Sequence, residues 1–264
     1  MPIGISTACF FPMETDEALL RLAKAGVRDA EIFLNAQCET QGEILQTLCD
    51  IRKEYGMTIH AVHTYCAFAE QTLLFRKYAR RLQDGLSMYR GLCAACRALD
   101  CDLLVMHGDR EYRSGNSQHL NDEEYIGRFR MLLCEMRNEG VRLSQENVVG
   151  YRSGQIDQLR MLRDALGDDF YLTFDVKQAV RCGLDPLDVA KEFARNIVHV
   201  HLSDHGMAGD CLLPGQGEFP FSALFAVLCE AGSRADYVIE VYRSAFRDEN
   251  DLFDAYRYIA ALPK

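Results

Sequence analysis

Eight short apolar runs recur along the chain, separated by stretches whose apolar residues return at helical spacing. This rhythm constrains the fold more than any other feature. The runs fall at residues 3–10, 30–35, 58–65, 103–108, 141–148, 171–176, 197–203 and 237–242. Continuous apolar runs of this length read as strands buried on both faces, and strands that alternate with amphipathic helices make βα units. Eight such units in 264 residues predict an α/β fold, a (β/α)8 TIM barrel occupying 1–264 as a single domain. A doubly wound α/β sheet is the other arrangement the alternation allows.

Local signals agree with the rhythm. Gly26, Gly56, Gly140 and Gly167 each close an amphipathic stretch, where a helix end favours a left-handed residue. Thr40 and Glu43 have the spacing of a capping box ahead of Ile44, Leu45, Leu48 and Ile51. Asp185-Pro186 reads as a helix cap with proline in the first turn. No linker rich in Pro, Gly or Ser interrupts the pattern, and the longest irregular piece is residues 109–120.

Composition then excludes several partners. A formal charge of -10 argues against a nucleic-acid backbone or an anionic membrane. No apolar run reaches the roughly 18 residues of a membrane span. The start, MPIGISTACFF, lacks a basic region followed by a long apolar stretch, so a cytoplasmic location is expected. Eleven cysteines, an odd count, then read as free thiols in a reducing compartment. Cys93 and Cys96 form a CxxC pair, but no second pair follows, and small buried side chains are the expectation.

Barrel enzymes place their chemistry at the C-terminal ends of the strands. Four consecutive runs deliver an ionisable residue there: Glu146 in LSQENVV, Asp175 in LTFDVKQ, His201 in IVHVHLSDH and Glu240 in YVIEVYR. Each alone is compatible with a local ion pair or a satisfied core histidine. Together they would crowd three carboxylates at one rim, a costly arrangement unless something compensates. A divalent cation does so and uses all four as ligands; three oxygens and one nitrogen suit Mn²⁺, Mg²⁺, Co²⁺ or Zn²⁺.

The ordered set QENVVG, FDVKQAVRCGLDP, IVHVHLSD, LPGQGEF and VIEVYR resembles the xylose-isomerase-like barrels, the sugar isomerases and epimerases with the related apurinic endonucleases. It covers roughly the C-terminal half. The N-terminal half agrees in strand rhythm and in EIF around Glu31. The resemblance implies one metal ion held by Glu146, Asp175, His201 and Glu240, and a small carbohydrate as substrate. His199 would then lie one layer deeper in the barrel with a hydrogen-bond partner. Relatives that isomerise or epimerise sugars, sugar phosphates or polyol ketones remove a proton beside a carbonyl through a metal-stabilised enediolate. Glu146 and Glu240 resemble the pair of glutamates that takes and returns that proton.

Two departures weigh against the narrower ketose 3-epimerase assignment and leave the metal site intact. Gln178 stands where many relatives have the histidine of Asp-x-x-His, and no Arg or Lys lies between Arg195 and Arg234. The same Gln178, with a loop after the seventh strand that lacks the endonuclease histidine, argues against DNA repair. His63 and His107, which end the third and fourth runs, are expected to face substrate together with Gln178, Lys177, Arg243 and Glu31. A lyase or dehydratase on a keto sugar or inosose would use the same site, and a non-catalytic carbohydrate-binding barrel is the third reading. Homo-oligomerisation is compatible with all three.

Overall fold

The computed structural model describes residues 2–65, 67–110 and 119–263. All eight runs form strands, and these close into one parallel barrel. In chain order the strands are β1 (Ile3–Ser6), β2 (Asp29–Phe33), β3 (Thr58–His63), β4 (Leu103–Met106), β5 (Arg142–Glu146), β6 (Tyr171–Asp175) and β7 (Ile197–Leu202). A hairpin, β8 (Asp204–Gly206) and β9 (Gly209–Leu212), follows β7 at the rim, and β10 (Asp236–Ile239) is the eighth barrel strand. β1 closes the ring, with Ile5 opposite Ala30 of β2 on one side and Ile239 of β10 on the other.

Helices α1 (Thr15–Lys24), α2 (Gly42–Tyr55), α3 (Ala67–Leu73), α4 (Ala79–Ala98), α5 (Asp122–Asn138), α6 (Ile156–Leu166), α7 (Val176–Arg181), α8 (Pro186–Phe193), α9 (Phe221–Glu230) and α10 (Glu249–Ala261) lie between the strands and after the last. Helical spacing decides which faces they bury. Phe221, Leu224, Phe225 and Leu228 of α9 are all buried, and Phe225 meets Tyr237 of β10 edge-on at 5.1 Å. Burying each such side chain contributes about 1.5–3 kcal/mol. Caps set the boundaries. Asp185 accepts from the amides of Leu187 and Asp188 ahead of Pro186, and Gly56 closes α2 at φ 61°.

The expected capping box at Thr40 does not form. Thr40 instead ends a 3-10 turn over Gln37–Thr40, where its hydroxyl donates to the Gln37 carbonyl at 2.7 Å, and α2 starts at Gly42. The strands are also shorter than their apolar runs. β1 stops at Ser6 because the Ser6 hydroxyl accepts from the Ala8 amide and turns the chain into a 3-10 helix over Thr7–Phe10. Of the irregular piece after β4, residues 111–118 lie outside the described residues, as does Cys66.

Two irregularities decide which side chains reach the lumen. Between Ala30 and Glu31 the partner of β2 passes from Ile59 to Ala61, so His60 is an extra residue in β3. Between Leu172 and Thr173 the partner of β6 passes from Ile197 to His199, leaving Val198 as the extra residue of β7. A bulge breaks the period of two. His60 and His63, of opposite parity in a regular strand, therefore both find polar partners: His60 sits between Asp29 and Asp236, at the first residues of β2 and β10, and His63 contacts Glu146 at the end of β5.

Candidate metal centre

Glu146 and Asp175 are the last residues of β5 and β6, His201 is the fifth residue of β7, and Glu240 directly follows β10. The barrel therefore brings the four together. One ligand atom from each lies within 4.8 Å of every other, and Glu146, Asp175 and His201 are buried. The His201 Nδ1 faces Glu146 Oε1 at 3.3 Å, Asp175 Oδ2 at 3.6 Å, and Glu240 Oε2 in close contact. Its other ring nitrogen, Nε2, points away at Glu31 Oε2, 3.0 Å distant.

Glu31 gives His201 its orientation. Oε2 of Glu31 also faces His199 Nε2 at 3.2 Å, and Oε1 accepts from the Ser6 hydroxyl at 2.8 Å. A carboxylate on one imidazole nitrogen holds the N–H there and turns the lone pair of the other nitrogen outward, as occurs behind metal-ligating histidines. Here that other nitrogen faces three carboxylates, a place where it either carries a proton or shares a cation with them. Glu31 is fully buried one layer below the rim, so the structure places it behind His201 rather than at the mouth where a substrate contact was expected. His199 occupies the deeper layer, as the resemblance implied.

Neighbouring side chains hold the acidic residues. Asn147 donates to the Asp175 carbonyl at 3.0 Å and accepts from its amide at 2.8 Å. Oδ1 of Asp175 caps α7 by accepting from the Gln178 amide at 3.0 Å, which leaves Oδ2 facing the centre. Glu146 Oε2 lies 3.0 Å from His107 Nε2 and 3.2 Å from His63 Nε2, so these three form a second group of closely spaced donors. Lys177 reaches into the cluster: its buried ammonium contacts Asp175 Oδ2 and lies 3.2 Å from Glu240 Oε1.

The electrostatics follow from burial opposed by pairing. Burial would raise Glu146, but His107, His201 and His63 hold it well below the usual carboxylate range. Burial likewise opposes the charge on Glu240, yet His201 and Lys177 bring it to about 2. Burial would lower His201 and Lys177, and the carboxylates around them hold both well above their ordinary values. At Asp175 burial wins and the carboxyl is raised. His199 is lowered, chiefly by burial, and donates to Glu31 as a neutral ring.

The remaining candidates divide. His107 and His63 join the cluster through Glu146. Gln178 is near it, but its side-chain oxygen accepts from the Val149 amide at 3.1 Å and so supports the loop after β5. Arg243 does not join. It is exposed, lies over the Phe246 ring and donates to the carbonyls of Phe246 and Arg247. Sequence reasoning did not reach Gln145 or Asn147, and Lys177, expected to face substrate, is instead paired with Asp175 and Glu240. The first two had a signal, since QEN puts three polar residues in succession on a strand otherwise read as buried.

Among the described residues ten cysteines are free thiols. Cys93 Sγ packs at 3.2 Å from Met136 Sδ, and burial pushes Cys93 and Cys101 up to about 12. These are core side chains and not thiolate ligands. Cys38, Cys134 and Cys229 depart from the expected burial and are exposed. No described helix is long and apolar enough to cross a membrane.

The donor set fits a divalent cation on the chain's own geometry. Three carboxylates converge on the His201 nitrogen that faces away from Glu31, and the buried Glu240 Oε2 meets that imidazole only as an ion pair, without hydrogen-bond geometry. Comparisons with known proteins point the same way as the fold. The profile described as "Xylose isomerase-like TIM barrel" matches residues 19–262. An uncharacterized protein of Mycobacterium leprae is 22% identical, over 94% of this chain and 91% of that protein. The crystal structure of the 3-keto-D-glucoside 4-epimerase of E. coli superimposes with a TM-score of 0.79 at 15% identity, covering 99% of this chain and 100% of that one. The IolI protein, solved with a zinc atom, superimposes at 0.77 with 14% identity, covering 98% and 96%.

Proposed function

Since the chain belongs to the xylose isomerase-like TIM barrels, we propose that it is a divalent-metal-dependent isomerase or epimerase of a sugar, sugar phosphate or polyol ketone. The observation that carries the reading is the orientation of His201, with Nε2 committed to Glu31 and Nδ1 turned to Glu146, Asp175 and Glu240. Those four residues would hold the ion. Mn²⁺, Mg²⁺, Co²⁺ and Zn²⁺ all accept three oxygens and one nitrogen. Bound there, the ion supplies Lewis acidity toward a substrate carbonyl. The zinc in IolI and the epimerase activity named for the E. coli neighbour favour this reading.

The chain's own groups supply the proton chemistry. Glu146 and Glu240 stand at the ends of β5 and β10, on different sides of the cluster, so each can serve one face of a substrate seated between them. Both carboxyls are held below their ordinary values by the neighbouring imidazoles and the Lys177 ammonium, so both are ionised near neutral pH, the state from which a base must start. His63 and His107 bracket Glu146 Oε2, and Lys177 sits beside Glu240, so each glutamate has a polar neighbour that steadies it as its charge changes.

Glu146→Gln and Glu240→Gln keep shape and one oxygen donor but cannot carry the proton. The assay is exchange of carbon-bound hydrogen in D₂O with D-fructose, D-tagatose, D-allulose, L-ribulose and a 3-keto-glucoside, with metal content measured alongside. A metal-retaining variant should lose exchange on the order of 100-fold or more. Full exchange in both metal-loaded variants would remove the two-glutamate mechanism. Accumulation of an enone with loss of water would assign a lyase or dehydratase that uses the same site.

A further inference from the structure

Outside the barrel wall, behind the two histidines that bracket Glu146, lies a carboxylate that neither faces the metal centre nor carries the proton. Glu70 of α3 is fully buried. Among the described residues it forms no ion pair, and burying a carboxylate away from any cation is costly unless hydrogen bonds compensate. Three do. Its Oε1 accepts from the Thr64 hydroxyl at 2.6 Å and from the Tyr89 hydroxyl at 2.8 Å, and its Oε2 accepts from the Gly108 amide at 2.9 Å.

Two of those partners have a particular place in the chain. Thr64 directly follows His63, and Gly108 directly follows His107. One carboxylate thus ties together residues just past the ends of two neighbouring strands, β3 and β4, beside the histidines whose rings stand 4.7 Å apart over Glu146. The His107–Gly108 peptide is held at both polar groups. Its carbonyl accepts from Gln145 Nε2 at 2.8 Å, while its N–H goes to Glu70. Gln145 Nε2 also donates to the Glu146 carbonyl at 2.7 Å, so the same clamp reaches the backbone of the proposed base. Gly108 holds φ at +84°, and a Cβ there would lie 2.7 Å from Gln145 Oε1, so backbone and clamp specify each other.

We propose that Glu70 is a positioning residue for the reaction: from outside the barrel it sets the rings of His63 and His107 against Glu146. This rests on the reading of Glu146 as a proton carrier, but the geometric half of it is separable. Displacing a ring by about 1 Å is enough to cost on the order of 100-fold in rate. Glu70→Gln keeps the arrangement, because the amide oxygen can accept from Gly108 while the amide N–H₂ donates to the Thr64 and Tyr89 hydroxyls, which turn to accept. Glu70→Ala removes it.

The test uses full-length protein labelled with ¹⁵N-histidine, with ring-nitrogen shifts and metal-loaded proton-exchange kinetics read on the same variants. Glu70→Ala should move the His63 and His107 signals, leave His60 in place, and lower kcat about 10- to 100-fold with KM little changed. Glu70→Gln should restore both readouts. Tyr89→Phe removes a bond to the same carboxylate but leaves those from Thr64 and Gly108 in place, so it should lower the Tm without moving either ring. Should Glu70→Ala not fold, Thr64→Val decides the matter, since it cuts one link and should move His63 while sparing His107. Equal ring shifts in Glu70→Ala and Tyr89→Phe, or no shift from Glu70→Ala or Thr64→Val, would overturn the proposal. If the rings move as expected while no sugar exchanges protons even in the unaltered protein, positioning stands and the functional reading fails.

Discussion

The floor of the barrel carries a titration with a calculable effect on stability. His60 is wedged between two carboxylates, Nε2 at 2.7 Å from Asp29 Oδ1 and Nδ1 at 3.1 Å from Asp236 Oδ2. A neutral imidazole has one N–H and can satisfy only one of them, so the geometry selects the imidazolium. Burial opposes the charge, but the two aspartates outweigh it and lift His60 from 6.5 to about 9. Raising a pKa by one corresponds to about 1.36 kcal/mol, so His60 contributes about 3 kcal/mol to folding at most, less where water screens the aspartates. The folded value lies above the unfolded one. The contribution is therefore complete below about pH 6.5 and is lost as pH rises through about 9. The perturbation is His60→Gln, which removes the titration at similar size. Urea unfolding of both proteins at pH 6 and pH 9.5 gives the difference in stability at each pH, and distant groups that titrate in both cancel. The variant's deficit should be about 2–3 kcal/mol larger at pH 6 than at pH 9.5. A deficit independent of pH would refute the imidazolium, whatever its size.

Glu31→Gln keeps acceptors for His199 and His201 but removes the charge behind the ligand, and Glu31→Ala removes both. Titration calorimetry with Mn²⁺ or Zn²⁺ should show affinity falling by about 10- to 100-fold, most in the alanine variant. Unchanged affinity in both would mean that Glu31 does not orient His201 for a metal. Metal added at about 100 times its Kd should raise the unfolding free energy by about 2.7 kcal/mol, and Asp175→Ala should abolish the gain in a thermal melt. All eleven cysteines should react with a thiol reagent after denaturation without reductant, and reductant should leave the Tm unchanged.

Much of the architecture was legible in the chain because it depends on local periodicity. Eight apolar runs at regular intervals, each with a helical stretch after it, have few ways to bury both faces, and the barrel is the one realised. Asp185-Pro186 acted within a single turn and was readable for the same reason. Thr40 was not, since its hydroxyl had two local carbonyl and amide options and only the packed loop chose between them. The four proposed ligands were visible because strand ends converge in any closed parallel barrel.

What the chain could not disclose depends on contacts between distant strands. Glu31 and His201 are 170 positions apart, and only closure of the barrel sets that carboxylate behind that imidazole. His60 had the wrong parity for a lumen residue until a bulge in β3 turned it between Asp29 and Asp236. Lys177 and Arg243 looked equivalent as cations beside ligands, yet one enters the cluster and the other folds onto its own turn. Glu70 gave no signal at all, since a glutamate on a short helix normally faces water. Periodicity and turn chemistry, which act over a few residues, thus determined the scaffold. Tertiary closure decided the protonation partners, because electrostatic free energy in a dry barrel depends on which charges end up adjacent.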